Sequence, residues 1–224
     1  MRPNIAIDGP AGAGKSTVAR LVAKRLGLTY LDTGAMYRAL TWKALQHGVP
    51  LAEEALAQLA RNTEITFQPG PDRATPRVFC DGTEVTDQIR SPEVSRQVSL
   101  VSSFPGVRQE LTRWQQKYAA AGGIVMDGRD IGTVVMPDAS FKFFLTASLE
   151  ERTRRRYEEL KKKGLPVEEE AVRAEIEARD EADRNRAVAP LAAAEDAIII
   201  DTTNLSVEQV VDTIVAHCQG GVSR

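Results

Sequence analysis

Hydrophobic positions along the chain fall into short runs separated by amphipathic stretches, and the order repeats. Asn4–Asp8, Thr29–Asp32, Gly123–Asp127, Phe141–Leu145 and Ala197–Asp201 are continuous apolar runs, three of them rich in β-branched residues. Runs of that kind predict strands buried on both faces of a parallel sheet. Helical periodicity lies between or after them. Lys15–Leu26 carries Val18, Leu21, Val22 and Leu26 on one stripe. Ala35–Gln46, Gln109–Ala121, Leu149–Lys163, Glu168–Ala187 and Val207–Cys218 read the same way. Strands alternating with helices predict an α/β fold with right-handed crossovers.

Two stretches break the alternation. Between residues 63 and 89, Ile65-Thr66-Phe67 and Arg77-Val78-Phe79-Cys80 flank a Gln68-Pro69-Gly70-Pro71-Asp72 turn. Asp81-Gly82 then leads to Thr83-Glu84-Val85. Asp-Gly between two β-rich runs is a strong hairpin signal, so a small antiparallel insert is expected. The second stretch, 149–186, is densely charged but balanced, with 11 Lys/Arg against 12 Asp/Glu. Glu150/Arg154, Glu151/Arg155, Glu158/Lys162 and Glu159/Lys163 have the favoured Glu-first i,i+4 order of solvated helices. Lys163-Gly164-Leu165-Pro166 breaks the segment into a helical hairpin. The expected division is a core of residues 1–62, 90–148 and 187–224, an insert at 63–89 and a helical lid at 149–186.

Composition narrows the partners. The formal net charge is −2, which gives no basic field for a nucleic acid polymer. No apolar run approaches the ~20 residues needed to span a bilayer, and no secretory signal precedes the first strand. Cys80 and Cys218 are far apart and offer neither metal spacing nor a disulfide framework. A cytoplasmic location follows as an expectation.

Candidate chemistry begins at the end of the first strand. Gly9, Pro10, Ala11, Gly12, Ala13, Gly14, Lys15 and Ser16 fit G-x-x-x-x-G-K-[ST] at every fixed position, between a strand and an amphipathic helix. Glycines there turn backbone N–H groups toward phosphate oxygens, and the following helix points its positive end at the same anion. Lys15 would reach the β- and γ-phosphates, with the Ser16 hydroxyl on Mg²⁺. This predicts a nucleoside triphosphate site, which kinases, switches and motors share. Asp127 ends the third strand and is either a Mg²⁺-side carboxylate or a capping residue. Arg38 and Arg129 follow the second and third strands, where open α/β sheets bind ligands, and together suggest a second phosphate. Arg179, Asp183 and Arg186 stand at i, i+4 and i+7 on one helix face, suited to a phosphate, a sugar hydroxyl or a base edge, or to an exposed ion-pair ladder. Asp180 and Arg184 read as a separate structural i,i+4 pair.

With these motifs assembled, the chain resembles the bacterial cytidylate kinases nearly end to end. The runs that carry this are Gly9–Thr17, Leu31–Arg38, Phe104–Arg108, Asp127–Val135 and Arg179–Leu191. Asp-Gly-Arg-Asp and Asp-Arg-Asn-Arg-Ala-Val-Ala-Pro-Leu discriminate best. The resemblance implies a P-loop fold with a five-stranded parallel sheet flanked by helices, a CMP-side β insert and a mobile lid. It implies Arg38, Arg129 and Arg179 as ligands of the acceptor phosphate. Ser99, Arg108, Asp130 and Arg186 would meet cytosine, and Asp183 the sugar. Thr33 stands where many relatives carry Ser and keeps the hydroxyl. Thr17 completes the donor loop, and Arg152 and Arg156 would cover ATP, although the adjacent Arg154 and Arg155 leave that register open.

The reading is Mg²⁺-dependent transfer of the ATP γ-phosphoryl group to CMP, and to dCMP, by a monomer. An acceptor phosphate is already ionised near neutral pH, so no general base is assigned. Lys15, Arg129 and Arg179 would act by alignment and charge neutralisation. The alternatives are a P-loop kinase of another small acceptor, such as UMP or AMP, and a nucleotide-driven switch. The absence of an Asn-Lys-x-Asp guanine-reading motif counts against a GTPase form of the latter.

Overall fold

The computed structural model describes residues 2–70 and 75–220. Strand β1 (Ile5–Asp8) leads through the glycine-rich loop into α1 (Lys15–Leu26), and β2 (Thr29–Asp32) into α2 (Thr33–Gln46) and α3 (Glu53–Arg61). The insert follows as β3 (Ile65–Pro69), β4 (Pro76–Cys80) and β5 (Thr83–Glu84). A 3-10 turn at Gln88–Arg90 precedes α4 (Pro92–Ser103) and α5 (Pro105–Ala120). Strand β6 (Ile124–Gly128) is followed by a π-helical turn at Ile131–Val135. Then come β7 (Phe141–Thr146), α6 (Leu149–Lys162), α7 (Glu169–Asn185), β8 (Ile198–Asp201) and α8 (Val207–Gly220).

The main sheet has five strands in the order β2-β6-β1-β7-β8, every pair parallel. All five are the apolar runs named above. Side chains alternate between two apolar layers, as the pleat requires. Ala6, Leu31, Ile124 and Met126 pack with α2, α4 and α5, whereas Ile5, Ile7, Val125, Phe143 and Leu145 pack with Val18 and Val22 of α1 and Val210 and Ile214 of α8. Register aligns Asp127 with Ile7 on one side and Asp32 on the other, so the carboxyl ends of β1, β2 and β6 lie side by side.

The insert is a three-stranded antiparallel sheet, β3-β4-β5. Asp81 and Gly82 take φ of 49° and 78°, the paired positive values that a two-residue primed turn needs. The turn expected at Gln68-Pro69-Gly70-Pro71-Asp72 runs into residues 71–74, outside the described residues. Ile65, Val78, Cys80, Val85 and Ile89 join the same apolar layer as Leu31 and Met126, so the insert packs directly on the main core. In the α6–α7 hairpin, Leu160, Val172 and Ile176 form a small cluster of their own.

Two helices go beyond the sequence reading, α3 and α4. Ser91 caps α4 by accepting from the Val94 N–H at 3.3 Å, with Pro92 at its first position. Helix α7 stops at Asn185, not Ala187, and Arg186 has the extended backbone of a chain leaving the helix.

Candidate active site

The loop between β1 and α1 is held tightly against the sheet. Gly9 has a φ of 147°, and a Cβ there would stand 2.0 Å from the Leu145 carbonyl oxygen, so only glycine fits. Lys15 is buried and donates from Nζ to the Pro10 carbonyl at 2.7 Å. Burial first, and then the Arg129 guanidinium, push its pKa well below the ordinary lysine value, while Asp127 opposes the shift. Ser16 and Thr17 are exposed at the start of α1. The Ser16 hydroxyl donates to Asp127 Oδ2 at 2.7 Å, and the Tyr30 hydroxyl to Asp127 Oδ1 at 2.8 Å. Asp127 is 4% exposed; burial, reinforced by Asp32, raises its pKa from 3.8 to about 6 against the pull of Ser16, Lys15 and Tyr30. Hydroxyl and carboxylate oxygens beside a phosphate loop are the hard donors that Mg²⁺ takes, so Ser16 and Asp127 fit that ion.

Opposite the loop lies a cluster of arginines. Arg129 donates from Nε to Asp183 Oδ2 at 2.7 Å, and Arg38 donates to Ser95 Oγ at 2.9 Å. Arg179 is half-buried, with its Nε inaccessible to solvent and unpartnered; desolvation, Arg129 and Arg38 all lower its pKa. Burial raises the pKa of Asp183, but Arg129 and Arg179 outweigh it and hold the group below the usual carboxylate range. Three guanidiniums and the Lys15 side chain thus crowd one space bordered by the Asp183, Asp127 and Asp32 carboxylates, and the cluster of cationic donors suits a polyanion.

Asp130 forms a second focus. Its Oδ2 accepts from Arg108 Nη2 at 2.6 Å and its Oδ1 from Arg186 Nη2 at 3.3 Å, all three side chains being nearly inaccessible to solvent. Arg108 lies over the Tyr37 ring, 5.4 Å from its centroid. Arg186 also stands 3.6 Å from Asp183, which ties this focus to the arginine cluster. Ser99 is half-buried on α4, and its carbonyl accepts from Ser102 Oγ. Thr33 is buried and donates to the Asp127 carbonyl at 2.6 Å, so its proton is committed to the backbone.

The sequence profile described as Cytidylate kinase matches residues 5–220. A cytidylate kinase from Desulfitobacterium hafniense (strain Y51) is 54% identical over 95% of this chain and 90% of its own. The chain belongs to the cytidylate kinase family. A bifunctional pantoate ligase/cytidylate kinase from Synechococcus sp. (strain JA-3-3Ab) is 57% identical over 96% of this chain but only 40% of its own length. Among solved structures, an uncharacterized protein from Eubacterium ventriosum ATCC 27560 superposes over 100% of both chains with a TM-score of 0.52 at 14% identity, a likeness of fold.

Within this cytidylate kinase family member, the α6 arginines expected over ATP part company. Arg152 is buried and turned toward the loop: Nε donates to the Ala147 carbonyl, and Nη1 to the Ala11 carbonyl and to Asp180. The pairing expected between Asp180 and Arg184 is therefore corrected: Asp180 faces back toward α6 and pairs with Arg152, while Arg184 is exposed. Arg156 pairs with Glu159, yet it is close enough to lower the pKa of Arg38. Arg155, left out of the lid set, donates to Thr202 Oγ1 and to the Thr202 carbonyl; its Nη1 would be 3.8 Å from a Cβ on Gly14. Of the surface pairs, Glu151/Arg155 and Glu159/Lys163 form as expected, whereas Arg154 bonds Glu151 and Glu158.

Sequence reasoning also missed two residues beneath the site. Asp8 accepts from the N–H groups of Ile131 (2.9 Å) and Gly132 (2.7 Å), fixing the turn that follows Asp130. Tyr30 holds Asp127. The position of Asp8 directly before the glycine loop, at the end of a buried strand, was the available signal for the first. A tyrosine in a strand gives none for the second.

Proposed function

We propose that this chain transfers the γ-phosphoryl group of ATP to CMP, and to dCMP, with Mg²⁺, giving CDP or dCDP and ADP. The observation that carries the reading is the proximity of a phosphate loop with Lys15 to a cluster of Arg38, Arg129 and Arg179, joined through Asp183 and Arg186 to Asp130 between two arginines. This arrangement supports separate stations for donor phosphates, acceptor phosphate and base. Mg²⁺ held at Ser16 and Asp127 would supply charge neutralisation at the β- and γ-phosphates. Lys15 withdraws from the Pro10 carbonyl to meet the γ-phosphate, where its pKa returns toward the cationic range. Arg129 and Arg179 hold the acceptor phosphate in line with the loop and spread the growing negative charge. Asp130 accepts from the cytosine amino group while Arg108 and Arg186 donate to the acceptors at N3 and O2. Asp183 and Thr33 border the sugar, Ser99 the base, and Arg155 joins Arg156 on the ATP side. The protein works as a cytoplasmic monomer on free nucleotides.

ADP release from ATP, measured with each nucleoside monophosphate in turn, tests the reading. CMP and dCMP should be the best acceptors, and Lys15→Ala should lower kcat at least 100-fold while the melting temperature holds. Equal turnover with all acceptors, or ADP release independent of any acceptor, would reject it.

A further inference from the structure

The crest of the phosphate loop is gripped by the lid. The Ala11 N–H donates to Asp180 Oδ1 at 3.2 Å, and the Ala11 carbonyl accepts from Arg152 Nη1 at 3.0 Å. Asp180 and Arg152 pair with each other, and their side chains are only 5% and 7% exposed. The next loop residue, Gly12, lies so close to α6 that an added Cβ would stand 3.0 Å from Arg152 Cβ and 3.1 Å from its carbonyl oxygen. One residue of the loop thus has both backbone polar groups tied to two successive lid helices, and the next, with a φ of 76°, leaves little room for a side chain against α6.

The chain connectivity gives this grip a purpose. Asp180 directly follows Arg179 on α7 and precedes Asp183 by less than one turn. Whatever fixes Asp180 against Ala11 also fixes how far Arg179 stands from the loop. We infer that Arg152 and Asp180 are a positioning pair that sets the distance between the donor phosphate loop and the acceptor arginine Arg179. This rests on the kinase reading above, and it assigns Arg152 to the loop backbone in place of direct cover over ATP. The pair touches no reacting atom. It works by holding two elements that do. A displacement of about 1 Å between reacting groups can cost about 100-fold in rate. A misplaced acceptor also leaves the γ-phosphoryl group open to water.

The test compares wild type with Asp180→Asn, Arg152→Gln, the double variant and Arg152→Lys, each checked for folding by circular dichroism. The readouts are kcat, KM for each nucleotide, and the ratio of acceptor-independent ATP hydrolysis to transfer. Each single neutral variant should lose 10- to 100-fold in kcat, with KM for CMP within about 3-fold. The hydrolysis-to-transfer ratio should rise at least 10-fold. The double variant should be no worse than the poorer single, because one partner is useless without the other. Arg152→Lys keeps the charge and should restore part of the ratio, and it serves as the readout if the neutral variants do not fold. Losses that only track the fraction folded, with an unchanged ratio, would reduce the pair to a structural brace and overturn the proposal. So would variants with wild-type kcat. A wild type that releases no ADP in response to CMP would overturn the kinase reading itself, a result distinct from an active wild type with indifferent variants.

Discussion

On the function proposed above, Asp130 is the residue on which base discrimination turns. Cytosine offers an amino donor where uracil offers a carbonyl, so for UMP the carboxylate and the flanking Arg108 and Arg186 would meet like groups. Each buried unpaired polar group costs about 1–3 kcal/mol. Asp130→Ala should therefore lower kcat/KM for CMP much more than for UMP, narrowing their ratio by about 10- to 100-fold. Parallel loss on both substrates would mean that Asp130 only orients its arginines. Asp8 carries a different prediction. Burial lifts its pKa from 3.8 to about 6, against the pull of the Gly132 and Ile131 N–H groups. Because the folded value exceeds the unfolded one, its stabilising contribution is complete below pH 3.8 and disappears as pH rises through 6. Between pH 5 and 7.5 the wild type should lose about 1 kcal/mol of unfolding free energy relative to Asp8→Asn, measured by urea titration of both. At this scale the phosphate loop was readable because its chemistry lies in one contiguous string. The true partner of Asp180 was not: Arg152 stands 28 residues away on another helix, while Arg184 offered a plausible i,i+4 match.

The helical hairpin is anchored unevenly along its length. Its root is clamped through Arg152, Asp180 and Arg155, whereas its tip has only Leu160, Val172 and Ile176 as a buried cluster. Amide exchange should accordingly be graded along α6 and α7: fastest around Lys161–Glu170, slower near Arg152 and Asp180, and slowed further at the tip by CMP with an inert ATP analogue. Uniform protection with and without ligands would argue against closure. Element by element, the five strands were legible as continuous apolar runs and the six helices by their period. Helix α4 was hidden for a physical reason. Its sequence, Pro92–Ser103, is built largely of Val and Ser, which favour other backbones, and tertiary packing of Val94, Val98 and Val101 overrides that preference. The Ser91-Pro92 start was the local signal that could have found it. Helix α3 is nine residues long, too short for a period to stand out.

Across the whole molecule, one apolar layer joins the main sheet, α2, α5 and the insert, so these should unfold together. Leu111→Ala removes a side chain 1% exposed in that layer and should cost about 3 kcal/mol, shifting the urea midpoint seen by Trp42 and Trp114. Leu160→Ala, in the separate lid cluster, should leave that midpoint nearly unmoved while speeding amide exchange at the lid tip. A large midpoint shift from Leu160→Ala would show that the lid is part of the same cooperative unit. The strand order has a further consequence, in the time of synthesis. Strands β1 and β2 do not pair with each other; both pair with β6, about ninety residues beyond β2. At ~5–20 residues per second, a ribosome leaves these two apolar strands without a sheet partner for about 5–20 s. The glycine loop emerges early but has no cradle until the chain beyond Asp127 has appeared, so the nascent protein carries its most recognisable string well before it can hold a nucleotide.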